Sequence, residues 1–216
     1  MKKIAILISG SGSNAEAIIN ACNSNIISGE VMIVISNNPN AYGLIRATKL
    51  GIKTKIINHN DFDSRLNYED VLENFLDLIK PDLIVLAGFM RVLGSKIIKK
   101  FSNKMINLHP SLLPLYPGLN THIKAVANND MNHGISIHFV SSDLDAGPLI
   151  AQGVIQINKN EKIDILIDRI HKIEHLLLPE ILNELCNNNI SLIENEVKFN
   201  NIDLNQKKFI IRNYDV

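Results

Sequence analysis

Tryptophan is absent from this chain and cysteine nearly so: 216 residues hold only Cys22 and Cys186. Neither lies in a C-x-x-C or a Cys/His cluster, which argues against a disulfide framework or a thiolate metal site and for two buried free thiols in a reducing compartment. Net charge is missing too. The 22 basic and 22 acidic residues cancel, so nothing draws nucleic acid or an anionic membrane to the chain by general electrostatics. Long apolar runs are also lacking. The start "MKKIAILISGSGS" has an apolar run of about five residues, short of the ~7–15 of a signal sequence. No run approaches the ~18–20 of a membrane span, and the cytoplasm is the default location. What is present is ordinary for a soluble globular protein, 46% hydrophobic and 20% charged residues, on a chain long enough for a sizeable core.

Strand and helix signals alternate through the first half. "KIAILI" (3–8) is a short apolar run, "SGSGSN" a glycine turn, and "AEAIINACNSNI" a helix with Ala17, Ile18, Ala21 and Cys22 at helical spacing. "VMIVIS" (31–36) is a second strand, "LIRATKLG" a helix that Gly51 closes, and "KTKII" (53–57) a weaker third strand. From Ser64 to Lys80, Leu66, Val71, Leu72, Phe75, Leu76 and Ile79 recur every three or four residues, as in an amphipathic helix, and Pro81 stops it. "DLIVLAGF" (82–89) is apolar on both faces, as a central parallel strand must be. "SKIIKKF" is a short helix and "KMINLH" a further strand. Successive βαβ units of this kind predict a doubly wound, mostly parallel α/β sheet.

The second half carries "GISIHFV" (134–140), with apolar residues on alternate positions, and "PLIAQGVIQI" (148–157), whose Gly153 permits a bulge. A helix follows over 162–186, with Ile163, Leu166, Ile167, Ile170, Ile173, Leu177 and Ile181 facing inward. After an Asn-rich turn the tail alternates weakly, as a hairpin or edge strands would. No repeat or linker divides the chain. It reads as one domain over 1–216, with an N-terminal half to about residue 100, a second half to about 188 and a tail from about 189.

Four stretches could carry chemistry. In "SGSGSN", Ser9 to Asn14, a strand ends and a helix opens, so backbone N–H groups converge where an anion is favoured. Gly10 and Gly12 are present, Ala15 stands at the third glycine position of a dinucleotide fingerprint, and no P-loop Lys follows. The acidic residue expected after the second strand is replaced by amides, so a phosphate on a smaller ligand fits better than a dinucleotide. The plainer reading is a tight turn without a ligand. In "INLHPSLLPLYPGLNTH" (106–122), Asn107 and His109 share one side of an extended chain at a strand end, and Pro110, Pro114 and Pro117 stiffen the loop behind them. An Asn amide suits an oxyanion and a His can move a proton; the plainer reading is a structural strand end.

In "SSDLDAGPLI" (141–150), Asp143 or Asp145 could orient the His, or simply cap a solvated turn. On the last helix His171, Glu174 and His175 stand at i, i+3 and i+4. Two His four apart are half of a metal site, and with no further ligand of suitable spacing a polar patch against a ligand, or plain surface, fits better.

The segments "ILISGSGSNAEAI", "PDLIVLAGFMRVL", "NLHPSLLPLYPGLNTH" and "GISIHFVSSDLDAGPLI" occur here in the order and at the distances of the glycinamide ribonucleotide transformylase family, the folate-dependent phosphoribosylglycinamide formyltransferases of purine biosynthesis. The resemblance runs from Lys3 to the last long helix. It implies a Rossmann-like formyltransferase fold and transfer of a formyl group from 10-formyltetrahydrofolate, as co-substrate, to the amine of glycinamide ribonucleotide. By the same resemblance the catalytic set falls on Asn107, His109 and Asp145. Ribonucleotide binding falls on Gly10, Ser11, Gly12, Ser13, Asn14 and Ala15 for the phosphate, and on Glu174 and His171 further along. Relatives often have Gln where His171 stands. Folate binding falls on Arg65, on Met90, Arg91, Val92 and Leu93, on Asn107, and on Ser141, Ser142, Asp143, Leu144 and Asp145. No metal, nucleic acid or membrane is expected, and the chain acts as a monomer or homodimer. Two related activities are weighed against this one. Methionyl-tRNA formyltransferase carries an added C-terminal nucleic-acid-binding domain, and formyltetrahydrofolate deformylase, a hydrolase, an added N-terminal regulatory domain. A non-catalytic binder of a phosphorylated metabolite is a further alternative.

Overall fold

Residues 4–8, 31–35 and 83–86 are apolar at every position, and such runs are stable only where both faces are covered. In the computed structural model, which describes residues 1–216 apart from Asp203, Asn205 and Gln206, they lie in the middle of one eight-stranded sheet. Strands β1 (Lys2–Ile8), β2 (Gly29–Ser36), β3 (Thr54–Ile56), β4 (Leu83–Leu86) and β5 (Met105–His109) are parallel. Strand β6 (Asn132–Phe139) runs antiparallel to β5 and to β7 (Leu149–Gln156). The tail forms a separate hairpin of β8 (Ile190–Ile193) and β9 (Glu196–Phe199), and then β10 (Ile210–Asn213), which joins the sheet edge parallel to β7. The spatial order is β10-β7-β6-β5-β4-β1-β2-β3. The chain therefore reverses its direction of travel across the sheet between β1 and β4, and loops leaving these strands meet at their carboxyl ends.

Helices cover both faces. On one side α1 (Ser13–Asn23), α2 (Tyr42–Lys49) and the long α6 (Ile163–Cys186) bury Ile18, Leu44, Ile170 and Leu177 against Ile6, Val85, Ile106 and Ile137. On the other, α3 (Arg65–Ile79) and α4 (Ser95–Phe101) bury Tyr68, Leu72, Leu76 and Phe101 against Leu7, Ile84 and Met105. Each fully buried side chain of this size contributes about 1.5–3 kcal/mol. A seven-residue helix α5 (Thr121–Ala127) packs beside α6. Among the described residues no helix is long and apolar enough to cross a membrane.

Several expectations shift in detail. The inner line of α3 is Tyr68, Leu72 and Leu76, while Leu66 is 68% and Val71 42% exposed. The polar Glu69 and Glu73 share the buried side because they bond outward, Glu69 to Arg65 and the Gly94 N–H, Glu73 to Lys100. Ile163 opens α6 on the solvent side, before the helix meets the sheet. Strand β4 stops at Leu86, so Ala87–Phe89 already belong to the loop. The register slips between Ile137 and His138 of β6, where Ile150 of β7 is the extra residue, and not at Gly153. Glycine serves there for a close approach instead: a Cβ on Gly134 would lie 1.9 Å from the Gly153 carbonyl oxygen. The tail supplies both the hairpin and the edge strand.

Replacing Gly134 by Ala is expected to cost about 1–3 kcal/mol through this overlap, read as a lower urea midpoint; an unchanged midpoint would mean the two strands separate freely. A second expectation concerns acid. His133 is 1% exposed, and its Nε2 lies 3.0 Å from Nδ1 of His122, an arrangement that works with one proton between the two nitrogens. Burial, aided by His122, pushes the His133 ring down from 6.5 to about 4. The unfolded chain then takes the proton first, so this contribution is intact above about pH 6.5 and is lost as pH falls towards 4, on the order of 3 kcal/mol. Denaturant unfolding across that range should show His133→Gln losing stability with a shallower slope than wild type; equal slopes would contradict the assignment.

Candidate active site

Strand alternation decides what β5 offers. Ile106 and Leu108 face the core under α1 and α6, Met105 faces the core under α3 and α4, and the period of two places Asn107 and His109 on the side of Met105. The core under α3 and α4 reaches only as far as Met105 and Val140. Beyond it the face of β5 and β6 is roofed by loop 110–120, which is pinned from below. Ser136 Oγ accepts from Leu113 N at 3.0 Å and donates to Ser111 O at 2.7 Å, and Gln152 Nε2 donates to Leu113 O at 2.8 Å. The Leu113–Pro114 peptide is cis. The strand end is thus polar, half-covered and held by a rigid loop.

Asp145 sits at the centre of this end. The loop between β6 and β7 turns through it in a left-handed conformation, φ 51, which Asp tolerates better than most residues. Its carboxylate Oδ2 accepts from Gly118 N at 2.8 Å and lies 3.4 Å from His109 Nδ1; Oδ1 accepts from Asn107 Nδ2 at 3.3 Å. His109 Nε2–H donates to the Tyr116 carbonyl at 2.8 Å, so both ring nitrogens face acceptors. The loop's own pattern left Asp143 and Asp145 open as partners for the His, and the family resemblance put the role on Asp145. Asp143 is exposed, its carbonyl bound by Ser141 Oγ, and only Asp145 reaches the cluster. The loop path is fixed by Gly147, where a Cβ would meet the Phe139 carbonyl oxygen at 1.7 Å.

His138 completes the cluster and was not singled out in the sequence. It lies directly opposite Asn107 across the β5–β6 ladder, so the two side chains share a face. Burial pushes its ring down from the usual value, more than the nearby Asp145 raises it, and a neutral ring has one N–H to give. Nδ1 lies 2.9 Å from the Phe139 carbonyl and carries that hydrogen, so Nε2 accepts from Asn107 Nδ2 at 3.2 Å. Both amide hydrogens of Asn107 are then directed, one to His138 and one to Asp145, which fixes the amide orientation. A signal was available: in "GISIHF", Gly134, Ser136 and His138 alternate with the core residues Ile135, Ile137 and Phe139.

The glycine turn stands two strands away. Gly10 and Ser11 are exposed, and Ser13 and Asn14 half-buried, at the start of α1, whose cap residue Gly12 makes no side-chain cap bond. Ala15 is buried and points into the core. Asn14 Nδ2 donates to Glu174 Oε2 at 2.9 Å, joining this turn to α6, while the buried Asn14 Oδ1 has no partner among the described residues. Burial raises the Glu174 carboxyl above its usual range, against the lowering by Asn14 and His171. His171 is exposed on the same helix.

The third group also assembles. Ser9 N donates to Gly88 O at 3.1 Å and Met90 N to Ser9 Oγ at 2.8 Å, which ties the segment after β4 to the glycine turn. Met90 and Val92 are 66% and 56% exposed, Leu93 is buried, and Arg91 is half-buried. Arg65 pairs with Glu69 at 2.7 Å, and Glu69 holds Gly94 N, so Arg65 lies beside this segment. Leu144 is 56% exposed next to Gly118, and Ser142 is exposed. Two cavities, of about 230 and 260 Å³, lie elsewhere, against Lys2, Asp82 and Lys104 and against Met1, Gly29 and Glu30, at the strands' amino ends.

The formyl transferase family matches residues 2–182. The phosphoribosylglycinamide formyltransferase of Escherichia coli (strain K12) is 42% identical over 192 residues, 89% of this chain and 91% of the relative. That of Haemophilus influenzae is 37% identical over 195 residues, 90% of this chain and 92% of the relative. The solved phosphoribosylglycinamide formyltransferase of Coxiella burnetii superposes with a TM-score of 0.92 at 43% identity, covering 98% of this chain and 99% of that one. On these findings the chain belongs to the formyl transferase family.

Proposed function

We propose that the chain transfers the formyl group of 10-formyltetrahydrofolate to the amine of glycinamide ribonucleotide, giving formylglycinamide ribonucleotide in purine biosynthesis. The observation that carries this reading is the cluster in which Asp145 holds Asn107 and His109 at one strand end, in a chain similar over nearly its whole length to enzymes named for that reaction. A neutral chain with two buried free thiols fits a cytoplasmic setting. The half to about residue 100 would hold the phosphate, residues 101–188 the folate and the chemistry, and the tail the sheet edge, all within one domain.

Formyl transfer is an acyl transfer. The amine attacks the formyl carbon, a C–N bond forms, and negative charge collects on the formyl oxygen. Asn107 Nδ2 and a ring N–H of His109 would stabilise that oxygen. The Asn107–Asp145 contact at 3.3 Å is the longer of the amide's two bonds and the one a substrate oxygen can replace; catalytic hydrogen bonds often tighten only in the complex. The amine's proton passes to Asp145, directly or through water, and on to the folate nitrogen as its bond to the formyl carbon breaks. Asp145 also stabilises the charged ring of His109. Gly10 to Asn14 would anchor the phosphate, with Glu174 and His171 beyond it, and the remote anchor places the amine for attack. Met90 to Leu93, Arg65 and Ser141 to Asp145 would line the folate.

Asp145→Asn is expected to lower kcat by about 10²–10⁴-fold with the KM for ribonucleotide little changed; near-normal turnover in the purified variant would defeat the role. The reaction itself is tested by following the absorbance of the folate product with and without glycinamide ribonucleotide. Product only with the ribonucleotide supports transfer, product without it indicates a hydrolase, and no product in either case indicates a binder.

A further inference from the structure

The glycine turn does not shape itself. Three consecutive carbonyls of the turn are taken by one neighbouring segment, residues 38 to 46. Asn38 Nδ2 donates to Ser9 O at 3.2 Å, Gly43 N to Gly10 O at 3.0 Å, and Arg46 Nε to Ser11 O at 3.1 Å. In a trans peptide the carbonyl and the following N–H point in opposite directions. Drawing the carbonyls of residues 9, 10 and 11 towards α2 therefore turns the N–H groups of Gly10, Ser11 and Gly12 the other way. Among the described residues, the N–H groups of Ser11 and Gly12 donate to no protein acceptor. The outward N–H groups continue into the free first turn of α1, a concave row of donors suited to an anion.

Contact between the two segments is close at one point, where a Cβ on Gly12 would lie 2.4 Å from Gly43 Cα and one on Gly43 2.8 Å from Gly12 Cα. Gly10, by contrast, has nothing within 4 Å of its Cβ position and faces open space. Arg46 is itself held, by an ion pair with Glu16 on α1 and by the Tyr42 ring 4.9 Å below its guanidinium carbon.

We infer that Arg46 is a positioning residue for the ribonucleotide's phosphate: its Nε–H holds the Ser11 carbonyl away from the ligand and so aims the Gly12 N–H at it. This rests on the reading of Gly10 to Asn14 as the phosphate anchor. The guanidinium is neutralised by Glu16 and acts through the backbone, not by its charge on the phosphate.

The test compares ribonucleotide with its dephosphorylated nucleoside, and uses inorganic phosphate as a competing probe, in Arg46→Gln, Arg46→Lys and Glu16→Gln. Arg46→Gln should raise the KM for ribonucleotide and the inhibition constant of phosphate about tenfold, leaving kcat, the folate KM and turnover of the nucleoside unchanged. Arg46→Lys keeps the charge and loses the Nε–H, and should behave alike; it carries the comparison if Arg46→Gln does not fold. Glu16→Gln should weaken phosphate too, because the guanidinium loses its anchor. Unchanged phosphate affinity in both Arg46 variants, or equal losses on ribonucleotide and nucleoside, would overturn the proposal. So would tighter phosphate binding in Glu16→Gln, the mark of a guanidinium acting by charge. Wild-type protein indifferent to the phosphate would instead remove the anchor reading, and this inference with it.

Discussion

A carboxylate only a tenth exposed has to be answered by hydrogen-bond donors, and at Asp145 the donors come from two segments other than its own loop. Gly118 N arrives from the proline loop and Asn107 Nδ2 from β5, with His109 Nδ1 of the same strand 3.4 Å away. Leaving such a charge with unfilled acceptor sites in a covered cleft costs more than a typical hydrogen bond gains. The β6–β7 loop, the roof loop and the end of β5 are therefore fixed against one another by one group. The amide of Asn107 and the ring of His109 take their orientations from it.

The sheet makes this possible by changing direction. Five parallel strands deliver their loops to one end, and β6 then returns antiparallel beside β5. The reversal sets His138 opposite Asn107 and Ser136 opposite His109, so polar residues line one face while Ile135, Ile137 and Phe139 fill the core on the other. Ser136 and Gln152 hold the roof loop, and the roof loop's Tyr116 carbonyl holds His109. In the proposed mechanism a substrate oxygen would have to compete with that carbonyl for the ring N–H. Such an internally satisfied site would open its donors only to a group that carries more negative charge than an amide carbonyl, which would favour the transition state over the ground state.

The sequence was informative where local rules govern. Apolar runs interrupted by helical spacing gave the order of strands and helices, the glycine turn after β1 was visible as such, and period-two alternation put Asn107 and His109 together. It was uninformative where a distant segment decides. Family resemblance aside, Asp143 and Asp145 are alike to any local pattern, and the loop path, with φ 51 at Asp145 and Gly147 wedged against Phe139, brings one of them inward. Leu66 and Val71 match helical spacing as well as Tyr68 does, and only the placement of β1 and β4 selects the inner line. Helix α5 follows the proline loop behind an Asn120 that makes no side-chain cap bond, so no start signal marks it in the sequence. The His122–His133 pair and the Arg46–Ser11 contact join residues far apart in the chain, which no local pattern records.

The central claim is that Asp145 organises Asn107 and His109 around the formyl oxygen. A crystal structure with a stable tetrahedral adduct of the folate and ribonucleotide tests it most directly. The adduct oxygen is expected about 3 Å from both Asn107 Nδ2 and a His109 ring nitrogen, with Asp145 still accepting from Gly118 N and the adduct's phosphate against Gly10 to Asn14. An adduct whose oxygen met neither side chain, while His109 kept its bond to the Tyr116 carbonyl and Asn107 its bond to Asp145, would contradict it.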